Sequence, residues 1–133
     1  MIAVFDTNVL IAAIITEGIC SKLLRRARTG EVSLVSCPFI LTEVRRILTR
    51  KFRLSREEVT AAIELICEAM SEIIGQEPEI DSICRDRDDD HVLACALAAK
   101  ADYLVTGDAD LLDIKSFRRV RIVTPRDFEA LFE

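Results

Sequence analysis

Residues 86–113 read DRDDDHVLACALAAKADYLVTGDADLLD and combine an acidic cluster, a small-residue helix, a short apolar strand and a second acidic cluster. The apolar periodicity predicts a helix over 90–99 and a buried strand over 103–106. Gly107 permits a tight exit turn, which places Asp108 just past the carboxyl end of that strand. An α/β unit with acids at both ends of its helix–strand pair is therefore expected here.

The acid at the start of this helix lies on its apolar side. Residues three, four and seven apart share a helix face, so Asp90 lines up with Leu93, Ala94 and Leu97. An ionised carboxylate on a buried face is costly unless it is paired or bound to a metal. Asp90 is accordingly a candidate metal ligand.

A second candidate lies at the amino terminus. The sequence IAVFD is an apolar run that ends in Asp6, at the mouth of a predicted core strand. The carboxyl ends of parallel strands meet at the crevice where α/β proteins bind their ligands. Asp6, Asp90 and Asp108 are therefore predicted to converge on a site for a hard metal ion.

The bulk composition indicates one α/β domain over 1–133, with 50% hydrophobic and 5% aromatic residues. The longest apolar run, 9–15, is too short to cross a bilayer, and the opening strand leaves no room for a signal peptide. The five cysteines form no CxxC pair and are expected to be reduced thiols of a cytoplasmic protein. These are Cys20, Cys37, Cys67, Cys84 and Cys95.

The net charge of −5 conceals an uneven distribution along the chain. Between Lys22 and Arg56 there are ten Lys or Arg and two acids, whereas the rest of the chain is strongly acidic. A basic segment beside clustered acids fits a metal site that serves a polyanion. The competing interpretation, with equal weight, is that these charges only solvate helix faces.

The remaining pattern predicts a three-layer sandwich, a central parallel sheet of four to five strands flanked by helices. Residues 75–84 are linker-like, with Ile80 and Ile83 as possible anchors. Strands are expected at 2–6, 32–36, 103–106 and 120–123, with a short one at 72–75. Helices are expected at 9–16, 19–29, 39–51, 55–70, 90–99, 108–114 and 124–131.

The predicted helix 39–51 carries a third kind of candidate. Glu43 lies at the margin of its apolar stripe, and Arg46 and Arg50 follow along the same edge. These arginines are candidates to hold phosphate groups beside the site. An exposed Glu43–Arg46 pair with little energetic effect is the alternative.

Four motifs together resemble the PIN-domain family, and within it the toxin nucleases of toxin–antitoxin modules. They are FDTNVLI, LTEVRRIL, DDDHVLACALAAKADYLVTGDADLL and IVTPRDF, which span 5–128. The resemblance implies a PIN-like fold with catalytic acids at Asp6, Glu43, Asp90 and Asp108.

The resemblance also implies supporting roles for two polar residues. Asn8 and Thr106 fall on positions that orient the carboxylates or a metal-bound water. Asp88, Asp89 and Asp110 adjoin the assigned acids and could take part from outside the ligand set.

The donor types favour a particular cofactor and reaction. Carboxylates without His or Cys companions select Mg²⁺ or Mn²⁺. A bound metal would lower the pKa of a water and offset charge on an attacked phosphate, so that hydrolysis leaves a 5′-phosphate and a 3′-hydroxyl. The resemblance implies single-stranded RNA as the substrate, a homodimer and a cognate antitoxin; an RNA-processing enzyme without an antitoxin remains open.

Two other classes of protein share some of these features. A haloacid-dehalogenase-like phosphatase would use Asp6 as a nucleophile, but it wants a second Asp where this chain has Asn8. A non-catalytic interaction domain would keep the acids for structure, although uncompensated acids destabilise a fold. Of the remaining residues, His91 is expected at the surface and Tyr103 in strand packing.

Overall fold

The computed structural model describes residues 1–75 and 87–132. Most of the predicted linker, including Ile80, Ile83 and Cys84, lies outside these ranges. The described elements are β1 (Ile2–Phe5), α1 (Thr7–Ile15), α2 (Ile19–Arg28), β2 (Ser33–Ser36), α3 (Pro38–Arg50), α4 (Arg56–Ala69), β3 (Met70–Ile73), α5 (Arg87–Ala98), β4 (Tyr103–Val105), α6 (Ala109–Leu112), β5 (Ser116–Phe117), β6 (Val120–Val123), α7 (Pro125–Glu129) and a 3₁₀ turn (Ala130–Phe132).

The sheet has the strand order β3-β2-β1-β4-β6-β5 and confirms the predicted α/β class. Five strands are parallel, and β5 pairs with β6 in the antiparallel direction. Strand β5 has no counterpart among the predicted strands, because two residues are too few to show a period. A turn through Arg118, at φ 56°, joins it to β6.

The two central strands are completely buried along most of their length. Ala3, Val4 and Phe5 of β1 and Leu104 and Val105 of β4 are all 0% exposed. Strands covered by helices on both faces are continuous apolar runs of this kind. Each large side chain of this core contributes about 1.5–3 kcal/mol through burial.

The alignment of β1 with β4 determines which residues leave the sheet together. Phe5 pairs with Val105, the last residue of each strand. Asp6 and Thr106 are therefore the first residues beyond the sheet on neighbouring strands. The Asp6 N–H continues the ladder by donating to the Val105 carbonyl at 2.9 Å.

The helix boundaries follow local capping chemistry. The Ser55–Glu58 capping box at the start of α4 is present, with the Glu58 N–H donating to Ser55 Oγ at 3.1 Å and the Ser55 N–H to Glu58 Oε1 at 2.9 Å. Asp6 caps α1, which begins at Thr7, two residues earlier than predicted. Helix α5 begins at Arg87 rather than Asp90, and β3 ends at Ile73, two residues before the predicted end.

The carboxyl-terminal segment closes the fold beside α2. Phe128 of α7 is fully buried and contacts the rings of Phe5, Tyr103 and Phe132, with centroids 5.4–6.0 Å apart. Tyr103 is thus a packing residue, as predicted. Next to Phe128, Glu129 binds Arg26 of α2, so the last turns are held by both apolar and ionic contacts.

In the described ranges, no single helix has both the length and the apolar character needed to cross a membrane. Helices α1 and α2 reach that length and apolar character only when taken together, and the chain bends by 98° at the break between them. Cys20, Cys37, Cys67 and Cys95 are thiols rather than disulfides.

Candidate metal and phosphate site

A cleft of about 150 Å³ lies where the carboxyl ends of β1 and β4 meet helices α3 and α5. Polar and acidic side chains predominate in its walls. The lining residues are Asp6, Thr7, Asn8, Glu43, Ile47, Asp88, Asp89, Val92 and Asp108. Three of the four predicted catalytic acids therefore share one cleft, together with the predicted supporting residue Asn8.

Asp6 is the most deeply placed acid of the cleft, at 6% exposure. Its Oδ1 accepts the Thr7 N–H at 2.7 Å, and its Oδ2 accepts the Thr106 hydroxyl at 2.7 Å. Burial raises the pKa of Asp6, and the nearby charges of Asp108 and Glu43 raise it further, whereas the two hydrogen bonds oppose the increase. The carboxylate is therefore held firmly in position but is short of positive charge.

Thr106 connects this acid to the next one along the sheet edge. It is 0% exposed, and its Oγ1 also accepts the Asp108 N–H at 3.0 Å. Asp108 in turn caps α6, its Oδ1 accepting the Asp110 N–H at 2.9 Å. A continuous series of hydrogen bonds thus connects Asp6, Thr106, Asp108 and Asp110.

A compact group of carboxylates consists of two acids of the cleft and Asp110 of α6. Oxygen atoms of Asp89, Asp108 and Asp110 all lie within 4.8 Å of one another. A set of oxygen donors at this spacing, without His or Cys, suits a hard divalent cation such as Mg²⁺ or Mn²⁺. The chemistry of these residues therefore fits a divalent metal.

The start of α5 differs from the prediction. Asp89 is 7% exposed and lines the cleft, whereas Asp90 is half-buried and lies outside the described lining. Residues 92–96 of α5 are all buried, so nearly every side of this helix is covered. Apolar periodicity consequently cannot distinguish position 89 from position 90.

Glu43 reaches the cleft from α3 with its side chain 15% exposed. An Arg46 guanidinium N–H donates to its Oε2, and the Arg46 side chain is 51% exposed. The Glu43–Arg46 pair that was the alternative to a phosphate-binding role is present, at the edge of the cleft. Arg50 is exposed one turn further along the helix.

A second cavity of about 210 Å³ adjoins the cleft and shares Glu43 and Asp88 with it. Its other walls are Phe39, Thr42 and Arg46. His91 is exposed, as predicted, but its ring stacks on Phe39 with centroids 4.5 Å apart and planes 18° apart. This contact joins the first turns of α3 and α5 and has no signature in the sequence.

The sequence comparison identifies a family. A profile of the PIN domain matches residues 3–110. No curated protein sequence matches the chain. The profile match includes Asp6, Glu43, the acidic triplet and Asp108.

The fold agrees with a solved structure. VapBC2 from Rickettsia felis, bound to a DNA fragment from its promoter, superimposes with a TM-score of 0.66. The identity is 15%, and the match covers 93% of this chain and 98% of the other. Because the profile covers most of the chain and the fold agrees, this protein belongs to the PIN-domain family.

Proposed function

We propose that the protein is a Mg²⁺- or Mn²⁺-dependent endoribonuclease that cuts single-stranded RNA, and that it is the toxin of a toxin–antitoxin pair. The observation that carries the proposal is the cleft at the ends of β1 and β4. It brings together the carboxylates of Asp6, Glu43, Asp89 and Asp108, in a chain of the PIN family. These acids offer a metal only oxygen ligands. Carboxylates that share one cleft repel one another, and a divalent cation bound among them offsets that repulsion.

We assign the metal to Asp6, Asp108 and a carboxylate from the start of α5. The family motif favours Asp90 as that third ligand. Asp89 is favoured instead by its geometry, because its carboxylate oxygen lies close to that of Asp108. When bound, the cation would lower the pKa of a water and offset charge on the phosphate.

The protein's own groups would hold the reactants in place. Thr106 keeps the Asp6 carboxylate in one orientation through the 2.7 Å hydrogen bond. Glu43 faces the same cleft from α3 and would orient the attacking water. Asn8, exposed in the first turn of α1, would support the carboxylates or that water with its amide.

The substrate proposal rests on the charge around the cleft. Arg46 and Arg50 extend from the cleft edge along α3, where they would contact the phosphates on either side of the scissile bond. The fold also supports the toxin role, because VapBC modules pair a PIN toxin with an antitoxin. We therefore include a cognate antitoxin and a homodimer in the proposal, which a small adjoining gene and light scattering would test.

The decisive experiment removes and restores the metal. Chelated protein should leave a fluorescent single-stranded RNA intact, and Mg²⁺ or Mn²⁺ should restore cleavage to products with 5′-phosphates. Titration calorimetry should show metal binding to the wild type. Cleavage that persists in excess chelator would overturn the proposal, and absence of metal binding would favour a non-catalytic interaction domain.

The third ligand can be identified with three matched variants. Asp89→Asn and Asp90→Asn remove neighbouring carboxylates from α5, and Asp113→Asn removes an exposed one beyond α6. The variant that loses both metal affinity and cleavage identifies the ligand. The Asp113→Asn variant should retain both, and equal activity of all three variants would place the metal elsewhere.

A further inference from the structure

The acidic cleft and the cavity beside it have different chemistry. Among the described residues, the cleft is lined by carboxylates, small polar groups and two aliphatic side chains. The adjoining cavity, called the Phe39 cavity below, adds an aromatic ring, the Thr42 hydroxyl and the Arg46 guanidinium. The two spaces share Glu43 and Asp88 in their walls, so they lie side by side.

The Phe39 ring is held in a defined orientation. Phe39 is half-buried in the first turn of α3, and the His91 ring of α5 stacks on it nearly parallel, at 18° and 4.5 Å. The same two helices carry Glu43 and Asp89 into the cleft. The position of the ring is therefore coupled to the position of the acids.

The size and walls of the cavity suit a planar heterocycle. A cavity of about 150 Å³ accepts benzene in another protein, and this space is about 210 Å³. Aromatic rings and guanidinium planes bind nucleobases by stacking, while hydroxyl and carboxylate groups can meet their polar edges. No such stacking surface is present among the described residues that line the acidic cleft itself.

We infer that the Phe39 cavity is a nucleobase subsite, which takes the base of one nucleotide adjoining the phosphate in the cleft. This inference rests on the proposed ribonuclease function. The backbone of single-stranded RNA would follow the charged rim, and one base would turn inward beside Phe39. Base preference at that single position would then come from Phe39, Thr42 and Arg46.

The chain contains no tryptophan, which allows a direct optical test. A Phe39→Trp variant in an Asp6→Asn background keeps a stacking ring and prevents cleavage. Its fluorescence should be quenched by short single-stranded RNA, and an abasic substitution at one position only should abolish the quenching. A Phe52→Trp variant in the same background is the control, because Phe52 is 37% exposed and outside both cavities.

A second variant measures the contribution of stacking. Phe39→Leu, also in the Asp6→Asn background, removes the ring but retains an apolar side chain. RNA affinity should fall roughly five- to a hundred-fold, and the abasic substitution should then have no further effect. Phe52→Leu should bind as its parent does, and circular dichroism should show both variants folded.

The outcomes separate this inference from the proposed function. If the wild type cuts RNA but Phe39→Leu binds as tightly as its parent, the subsite is excluded and the ribonuclease function stands. The subsite is also excluded if the fluorescence of Phe39→Trp is quenched equally by RNAs that carry the abasic substitution at different positions. If the wild type neither cuts nor binds RNA, both are overturned.

Discussion

Asp6 and Glu129 are buried to nearly the same extent, at 6% and 7% exposure, but their surroundings differ completely. Asp6 receives one amide and one hydroxyl hydrogen bond and has two acids nearby. Glu129 receives Arg26 Nε at 2.6 Å and Arg26 Nη2 at 2.8 Å, and Lys22 Nζ lies at 2.8 Å. Among the described residues, no cationic group binds the Asp6 carboxylate, whereas two bind the carboxylate of Glu129.

The pKa values move in opposite directions as a result. The hydrogen bond from Arg26 is the main reason that the pKa of Glu129 falls to about 2, with Lys22 adding to it. Burial is the main reason that the pKa of Asp6 rises. A carboxylate that stabilises the fold is paired with cationic side chains of the same chain. A carboxylate of a metal site has its negative charge available to bind a cation from solution.

The strongest test of this contrast is Asp6→Asn. RNA cleavage should fall by more than about 100-fold, since changes to outer partners of metal ligands alone cost roughly 10–100-fold. The melting temperature without metal should stay constant or rise, because a buried charge is removed. Cleavage assays and calorimetry on the same preparation measure both, and normal cleavage by this variant would remove Asp6 from the site.

Glu129→Gln should produce the reverse pattern, a loss of stability with cleavage retained. The expected loss is roughly 1–3 kcal/mol, below the ~3–5 kcal/mol of a fully buried pair, because the Lys22 side chain is 53% exposed. Urea denaturation measures it. Glu31→Gln is the matched control, since Glu31 also binds Arg26 but is 47% exposed, and it should cost less than about 1 kcal/mol.

The pH dependence of the unfolding free energy should reveal the ionisation of Glu129. The pKa of Glu129 is about 2 in the folded protein against 4.5 in the reference state. The unfolded chain therefore binds more protons in this window, and the stabilisation present above pH 4.5 is lost as the pH falls towards 2.

Urea unfolding at a series of pH values should consequently show the difference in unfolding free energy between wild type and Glu129→Gln shrinking on acidification. A difference that stays constant as the pH falls from 4.5 towards 2 would contradict the lowered pKa of Glu129.

The smallest expected effect concerns Arg46, which gives Glu43 one hydrogen bond at the cleft, whereas Arg26 gives Glu129 two. If Arg46 and Arg50 hold substrate, the double change to Gln should flatten the salt dependence of RNA affinity by roughly one unit per lost phosphate contact. Stability should change by less than about 1 kcal/mol, because the pair is exposed.

Arg118→Gln is a suitable control for this experiment, because Arg118 is exposed in the β5–β6 turn. A double variant with an unchanged salt slope would move these arginines to an antitoxin interface or to a solvated helix face.

Much of this architecture could be predicted from local patterns. Apolar runs identified β1, β4 and β6, and the acids after β1 and β4 indicated the edge where they meet. The start of α1 moved because capping by Asp6, rather than apolar periodicity, decides where that helix begins.

What could not be predicted depends on contacts between distant parts of the chain. Arg26 and Glu129 are 103 residues apart, and nothing local marks them as partners. The same holds for the stack of His91 on Phe39. The choice between Asp89 and Asp90 depends on which side of α5 faces β1 and β4. Because α5 is buried on nearly every side, its apolar pattern does not identify that side.

The pairing of Phe5 with Val105 also limits the kinds of genetic change that this protein can accept. Asp6 meets the Thr106 hydroxyl only because both strands end at the same level. Removing one residue from β1 or β4 would place Asp6 beside Val105 or Gly107, and every side chain between the deletion and the end of that strand would face the opposite side of the sheet. A point substitution at the cleft changes one group, but a single-codon insertion or deletion in either strand disables the core and the site together. Variation in length is therefore confined to the connections outside these two strands.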